Sequence, residues 1–270
     1  MRIMQALLLV ATPLLVFASP EGNGRGARPT ALANAYVAVA EDPWSTFYNP
    51  AGLSGVTKVH FCGFFVPGQF GLKELRTVSA SAAFPFHIAP VGLMISQFGF
   101  DLYRETMISL GVGRNLGDGF ACGVTVNLLR LSIQRYGQST TAAFDIGAQV
   151  DLIEEVRLGF CWKNMTAAGI GATAEPLPQV QMLGVSYEFS KNSRLLIEWE
   201  KDIRYPFSFK GGCEQRFFGF LSLRFGVSTN PDKFSFGIGA SKSVVEFSYA
   251  TYSHAQLGWT HQIELSIQLE

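Results

Sequence analysis

From Thr57 to the end of the chain, apolar and polar residues alternate in short stretches. Leu221, Leu223, Phe225 and Val227 alternate with Ser222, Arg224, Gly226 and Ser228, and Phe144, Ile146, Ala148 and Val150 with Asp145, Gly147, Gln149 and Asp151. Ile263, Leu265, Ile267 and Leu269 do the same with Gln262, Glu264, Ser266 and Gln268. Successive side chains of a strand point to opposite faces, so each stretch has one apolar and one polar side. Such segments are centred near 62, 79, 94, 109, 125, 146, 159, 184, 197, 208, 223, 237, 248 and 265, which predicts about fourteen strands. Shared among them, residues 57–270 leave about fifteen per strand, where a membrane strand needs about 9–11. Asn115-Leu116-Gly117-Asp118-Gly119 and Asn230-Pro231-Asp232 carry turn chemistry, and Thr166 to Pro178 reads as a long external loop.

A soluble β-sandwich also alternates, but its outer face meets water and calls for Lys, Glu and Thr. Here many polar-face positions are Gly, Ser or Ala, as in a crowded lumen. Aromatic residues stand near strand ends (Trp162, Trp199, Tyr205, Trp259), as interfacial girdles do. The pattern predicts an all-β fold, a transmembrane antiparallel β-barrel.

The first 56 residues are organised differently. Arg2, the apolar run Ala6 to Phe17 and the small-residue site Val16-Phe17-Ala18 predict a cleavable signal peptide over 1–18. Residues 19–56 show no period of two. Thr30 to Ala40 reads as a short alanine-rich helix, broken by Glu41-Asp42-Pro43, and Asn49-Pro50-Ala51-Gly52 as a turn. About eight strands already make a barrel that its own side chains just fill. A fourteen-stranded lumen needs other filling, and this segment, with Ala31, Ala33, Ala35, Ala38 and Ala40, suits close approach to the wall. It is expected to fold inward as a hatch, either a plain plug or a gate, with the barrel over 57–270.

Composition agrees. Charged residues make up 16% and apolar ones 48%, with 28 Gly and 23 Phe, yet no run long enough for a membrane helix follows the first twenty positions. With 21 basic and 21 acidic residues there is no electrostatic case for nucleic acid. Cys62, Cys122, Cys161 and Cys213 are far apart, without metal-like spacing, and read as small apolar fillers, although export also permits disulfides. His60, His87, His254 and His261 are scattered, so no metal or cofactor is expected. Gly22-Asn23-Gly24-Arg25-Gly26 lacks the Lys-Ser/Thr of a phosphate loop and reads as a flexible tether. No nucleophile elbow or other catalytic constellation is present. Carboxylates on the polar faces (Asp145, Asp151, Glu188, Glu198, Glu200, Glu246, Glu264) are expected to pair across the lumen with Arg157, Lys163 and Arg224. Arg224, the only cation on its strand's polar face, is expected to meet such carboxylates or the carbonyls of the hatch, unless water alone solvates it.

The string Gly26-Ala27-Arg28, then Ala31 through Asp42-Pro43, ending in Tyr48-Asn49-Pro50-Ala51-Gly52-Leu53, resembles the N-terminal signature of the FadL-like outer-membrane proteins, closest to the PorV/PorQ branch. Leu221-Ser222-Leu223-Arg224-Phe225-Gly226, Phe234 to Gly239 and Leu257-Gly258-Trp259-Thr260-His261 agree, and Phe144-Asp145-Ile146-Gly147 and Pro176-Leu177-Pro178 match more loosely. The resemblance implies fourteen strands in the bacterial outer membrane and a hatch that places Asn49, Pro50, Ala51 and Gly52 at a constriction. Arg157, Arg224, Glu246 and Glu264 are expected to line the lumen. In the fatty-acid transporters of this group, hydrophobic ligands cross the barrel and leave sideways through its wall. Some members of the PorV branch instead engage exported proteins in type-IX secretion. The expected partners are therefore outer-membrane lipid with either a small hydrophobic ligand or a secreted protein or secretion machinery. A structural barrel without transport is the remaining alternative. Two features depart from the group: the chain is short, which predicts reduced external loops, and Leu269-Glu270 stands where a terminal aromatic is usual.

Overall fold

The computed structural model of the chain describes residues 24–171 and 173–269; the expected signal peptide lies outside the described residues. Sixteen strands follow a short N-terminal segment. They are β1 (His60–Val66), β2 (Thr77–Phe84), β3 (Val91–Gly99), β4 (Tyr103–Gly117), β5 (Phe120–Ile133) and β6 (Gly137–Ile153). Next come β7 (Val156–Lys163), the two-residue β8 (Gly169–Ile170) and β9 (Glu175–Pro176), β10 (Val180–Ser190) and β11 (Ser193–Asp202). The chain closes with β12 (Ser208–Phe217), β13 (Leu221–Ser228), β14 (Lys233–Lys242), β15 (Val245–His254) and β16 (Gly258–Gln268). All except β8 and β9 form one closed antiparallel barrel, in which β1 pairs with both β2 and β16. Fourteen barrel strands is the number that the alternation predicts, and every predicted centre falls within its own strand.

The alternation also fixes the faces. In β13, Ser222 and Arg224 are buried while Leu223, Phe225 and Val227 face outward. Phe225 is 54% exposed and packs on Phe236 of β14 with ring centroids 5.1 Å apart. In β16, Thr260, Gln262 and Glu264 point inward and Trp259, Ile263 and Leu265 outward. An apolar exterior around a closed ladder leaves no backbone group to meet lipid unpaired, which is the condition for strands to span a bilayer. No helix among the described residues is long and apolar enough to cross a membrane.

The barrel has unlike ends. Six connections, 85–90 and the tight 118–119, 154–155, 191–192, 218–220 and 243–244, lie at the end where the chain enters β1. The two longest, 67–76 and 164–179, lie at the other. These are called the turn end and the loop end. Strands β4, β5 and β6, at 15, 14 and 17 residues, exceed the membrane's requirement and extend toward the loop end. Trp162, Trp199 and Trp259 stand on loop-end strand termini, with Trp199 edge-on to Phe209 at 5.8 Å. Phe61, Phe84 and Phe217 form the corresponding ring at the turn end, where the Phe61 and Phe84 centroids are 5.9 Å apart.

Residues 24–56 fill the middle of the lumen. Their helices are α1 (Ala27–Ala31) and α2 (Ser45–Tyr48), followed by a 3-10 helix over Pro50–Gly55. The helix expected over Thr30 to Ala40 is not formed. Ala33 and Asn34 adopt φ of 53° and 62°, the left-handed region that ends a helix, and the rest of that stretch forms turns. Leu32, Tyr36, Trp44 and Tyr48 pack on one another, and Trp44 meets Phe64 of the wall at 5.9 Å. The small residues of the polar faces make this fit possible. A Cβ placed on Gly123 would lie 2.3 Å from the carbonyl carbon of Pro50, and one on Gly226 would lie 2.3 Å from the nitrogen of Ala33. All four cysteines are free thiols; Cys62 and Cys161 are buried, and Cys122 and Cys213 are half-buried.

Candidate functional site

An irregular segment inside a barrel leaves backbone N–H and C=O groups without ladder partners, and each must be matched. The inner faces supply the partners. Glu198 of β11 accepts the N–H groups of Tyr36 and Val37 at 2.8 and 2.9 Å. Glu264 of β16 accepts the N–H of Ala27 at 2.5 Å and the indole N–H of Trp44 at 3.2 Å. Gln149 donates to the carbonyls of Val37 and Ala40, Ser81 to that of Pro43, and Thr125 to that of Thr46. Much of the polar inner face therefore binds the hatch backbone.

One connected group of charges joins the hatch to the wall. Arg28 of α1 donates from Nε and Nη2 to the two oxygens of Glu214 at 3.0 and 2.7 Å. Glu214 also accepts from Arg224 Nε at 2.7 Å, and Arg224 continues to Glu246 at 3.0 Å and to the Ser248 hydroxyl at 3.1 Å. Arg224 is 1% exposed. Burial opposes the Arg28 charge, but Glu214, with Tyr36 and Asp42, outweighs it and holds the guanidinium well above its ordinary pKa. Burial raises the Tyr36 and Tyr48 phenols well above theirs.

The residues singled out from sequence take these places. Arg224 and Glu246 belong to the Arg28 network. Arg157 sits at the turn end, bonded to Asp151 and to Glu41 of the hatch. Glu264 pairs with no cation among the described residues; it holds backbone and indole N–H groups of the hatch instead. Lys163 likewise forms no ion pair among the described residues: its ammonium lies over the Phe47 ring, while Asp145 accepts from Asn127 and Asn164 and Glu200 from Lys210. Asn49 caps the 3-10 helix by accepting from Ala51 N at 3.1 Å, and donates to Val37 and Ala148 carbonyls at 2.8 and 3.1 Å. Pro50, Ala51 and Gly52 are buried, with Pro50 against the wall glycines Gly113, Gly123 and Gly147. This turn lines neither of the two cavities described next.

Both cavities lie on the loop-end side of the hatch. The first, about 490 Å³, is a vestibule bordered by Lys210, Glu200, Lys233 and Gln262, with Tyr48 among the hatch residues lining it. The second, about 510 Å³, lies under the inner faces of β3 to β6; Phe98, Met107, Leu129, Leu131 and Leu177 give it a mainly apolar wall, with Arg25, Glu105 and Asp145 also on its border. Its cover is the β8–β9 hairpin, within the stretch expected to be a long loop. Asn164 holds the hairpin's base: its N–H donates to Asp145 at 2.8 Å, and its side chain bonds Ala168 and Leu177. Gly171 N–H ties the tip to Ser139 of β6 at 3.0 Å. Phe47 and Lys163 border both cavities.

The apolar cavity was readable only indirectly. Around Asn127-Leu128-Leu129-Arg130-Leu131 the alternation fails, since Leu128 faces outward while Leu129 and Leu131 face in. Apolar residues on the inner phase, together with Phe98 and Met107, are its signal in the sequence.

A closed fourteen-stranded barrel of this kind is the architecture of the FadL-like outer-membrane barrels. The toluene transporter TbuX of Ralstonia pickettii superposes with a TM-score of 0.72 at 12% identity, covering 92% of this chain and 99% of that one. The toluene transporter TodX of P. putida gives 0.67 at 11%, covering 92% and 99%. A Pseudomonas aeruginosa FadL homologue gives 0.66 at 11%, covering 91% and 98%. At such identities the likeness concerns the fold. No family model matches the sequence, and no curated protein does.

Proposed function

We propose that the protein is an outer-membrane channel through which small hydrophobic molecules enter the cell. The observation that carries this reading is the apolar cavity of about 510 Å³ between hatch and wall, a size in the range of small-molecule sites, inside a barrel whose exterior demands lipid. The shared fold with toluene transporters supports it. The longer connections then face outward and the tight turns face the periplasm, as is usual for such barrels. The barrel ladder has no gap among the described residues, and its register shifts fall between Asn115 and Gly117, Asp151 and Ile153, and Glu188 and Ser190, all at the turn end. Sideways exit therefore requires a strand pair to part. The Asn49–Gly52 turn serves, in this reading, as a seal against the wall. The finer likeness to the PorV/PorQ branch rests on the sequence strings, and no feature of the cavities favours an exported protein as cargo.

The test is uptake of a labelled hydrocarbon by cells producing the chain in an outer membrane that otherwise excludes it. Wild type should accelerate uptake, and Leu129→Lys, which replaces part of the cavity's apolar wall with an ammonium, should abolish the gain while the folded barrel persists on unheated gels. Equal passage of small sugars and hydrocarbons would defeat the reading.

A further inference from the structure

On the inner wall Lys210 donates to Glu198 and Glu200 at 3.1 and 2.5 Å and Arg224 to Glu214 and Glu246, whereas Lys233 lies 5.2 Å from the centroid of the Tyr252 ring. Lys163 faces its rings more closely. Its Nζ lies 3.5 Å from the centroid of the Phe47 ring and 5.4 Å from that of Tyr48, and it forms no ion pair among the described residues. The two carboxylates whose charges reach it are engaged, Asp145 with Asn127 and the Asn164 N–H, and Glu200 with Lys210. Lys163 is half-buried, and the groups its ammonium meets are the faces of aromatic rings. That attraction is strongest where water is excluded.

The position of the pair gives this contact a use. Phe47 and Lys163 both border the vestibule and the apolar cavity, so they stand at the junction between them. Phe47 is only partly buried, unlike its neighbours Trp44 and Tyr48. The backbone carrying it is fixed, since Thr125 donates to the Thr46 carbonyl at 3.1 Å and Asn49 N–H bonds Ser45 at 3.0 Å. Its ring meets Lys163, lies 5.6 Å from the Arg25 guanidinium and stands edge-on to Tyr48 at 5.0 Å, so leaving Lys163 asks for a turn about its own side-chain bonds while the hatch backbone stays seated.

We propose that Lys163 is a recognition site for the face of an aromatic ring, and that Phe47 occupies it as an internal stand-in until a ligand displaces it. This rests on the reading of the barrel as a passage for small hydrophobic molecules. An aromatic ring arriving from the vestibule replaces one ring face by another, so the ammonium is never left without a partner. A saturated ring of the same size has no negative face to offer and leaves the ammonium to Phe47. Lys163 thereby sets a preference for aromatic over alicyclic molecules, and the Phe47–Lys163 contact closes the junction when no such ligand is present.

The folded full-length chain in nanodiscs, with para-fluorotoluene followed by fluorine NMR, provides the test. Toluene should displace the probe at a concentration about two- to thirty-fold lower than methylcyclohexane. Lys163→Met should equalise the two competitors while methylcyclohexane still binds, and Lys163→Arg should keep the preference. Phe47→Leu should tighten toluene binding, because the internal competitor is gone. Heat-dependent gel migration verifies that each variant is folded. A preference for toluene that survives in Lys163→Met, or toluene binding unchanged in Phe47→Leu, would overturn the proposal alone. A probe that does not bind wild type at all would overturn the channel reading as well.

Discussion

The carboxylate of Glu198 accepts the backbone N–H of Val37 at 2.9 Å, joining a wall strand to the hatch across the lumen. The same oxygen takes the N–H of Tyr36, so one side chain satisfies two donors that no ladder reaches. Glu198→Ala orphans both, at about 1–3 kcal/mol for each buried donor. We expect faster hydrogen exchange at the amides of Tyr36 and Val37 and faster proteolysis of the hatch, with the barrel still folded. Glu198→Gln, which keeps an oxygen acceptor, should fall between. Unchanged exchange in the alanine variant would mean that packing alone holds the segment.

Arg28 and Arg224 share one acceptor, Glu214, so their contributions should not add. Removing one partner of a buried pair costs about 3–5 kcal/mol, because a charge is left uncompensated. After Arg28→Met, Glu214 retains Arg224; after both substitutions it retains neither. A double-mutant cycle by denaturant unfolding in bilayers should give a coupling of about 0.5–3 kcal/mol. Strict additivity would indicate that the hatch and the wall are anchored independently.

The strands and their faces were legible in the sequence because a period of two is imposed locally, by the pleat, and every strand repeats it. Fourteen centres followed from that alone. The hatch was less legible. Ala33 and Asn34 end α1 in left-handed conformations that alanine enters only when tertiary contacts require it, and those contacts come from strands far away in sequence. The partners of Glu264 and Lys163 were hidden for the same reason. A carboxylate on a polar face announces a need for donors, but not whether a guanidinium or a backbone N–H will meet it. The apolar cavity left a trace in the doubled apolar phase at Leu128 and Leu129.

Leu265 faces outward at 47% exposure, while its neighbour Ser266 turns inward to bond His60 at 2.6 Å. Leu265→Lys should cost roughly 2–4 kcal/mol, the penalty for lysine on a lipid face near the midplane. Ser266→Lys should cost much less. Reversible unfolding from lipid vesicles measures both, and equal costs would contradict the assigned faces.

The Tyr36 phenol donates to Asp42 at 2.5 Å, and burial holds it and Tyr48 above the ordinary value of 10.0. A folded-state pKa raised above the unfolded one gives stability that is complete below the unfolded value and is lost as pH rises past it. Hatch protection against protease should therefore be flat up to about pH 10 and decline above it. Tyr36→Phe together with Tyr48→Phe should move that decline to higher pH. A decline unaffected by the double variant would place its origin elsewhere.

The wall glycines make the sharpest separation between barrel and hatch. At Gly123 a methyl group would meet the Pro50 carbonyl carbon at 2.3 Å, and at Gly226 the Ala33 nitrogen at 2.3 Å, distances that no Cβ tolerates. Both obstacles are hatch backbone, and backbone cannot turn aside as a side chain does. The strands carrying these glycines lose nothing from alanine, since a methyl group lies comfortably on a pleated face. Gly123→Ala and Gly226→Ala should therefore displace the hatch and leave the barrel intact. Single-channel recordings should show raised conductance or frequent open events in each, while the unheated protein keeps its folded mobility on gels. In a chain lacking residues 24–56 the same substitutions should have no effect on conductance or stability, because the atoms they strike are absent. If Gly123→Ala destabilises that shortened barrel as much as the complete one, the glycine serves the strand itself, and the packing of the Asn49–Gly52 turn against the wall is not what it protects.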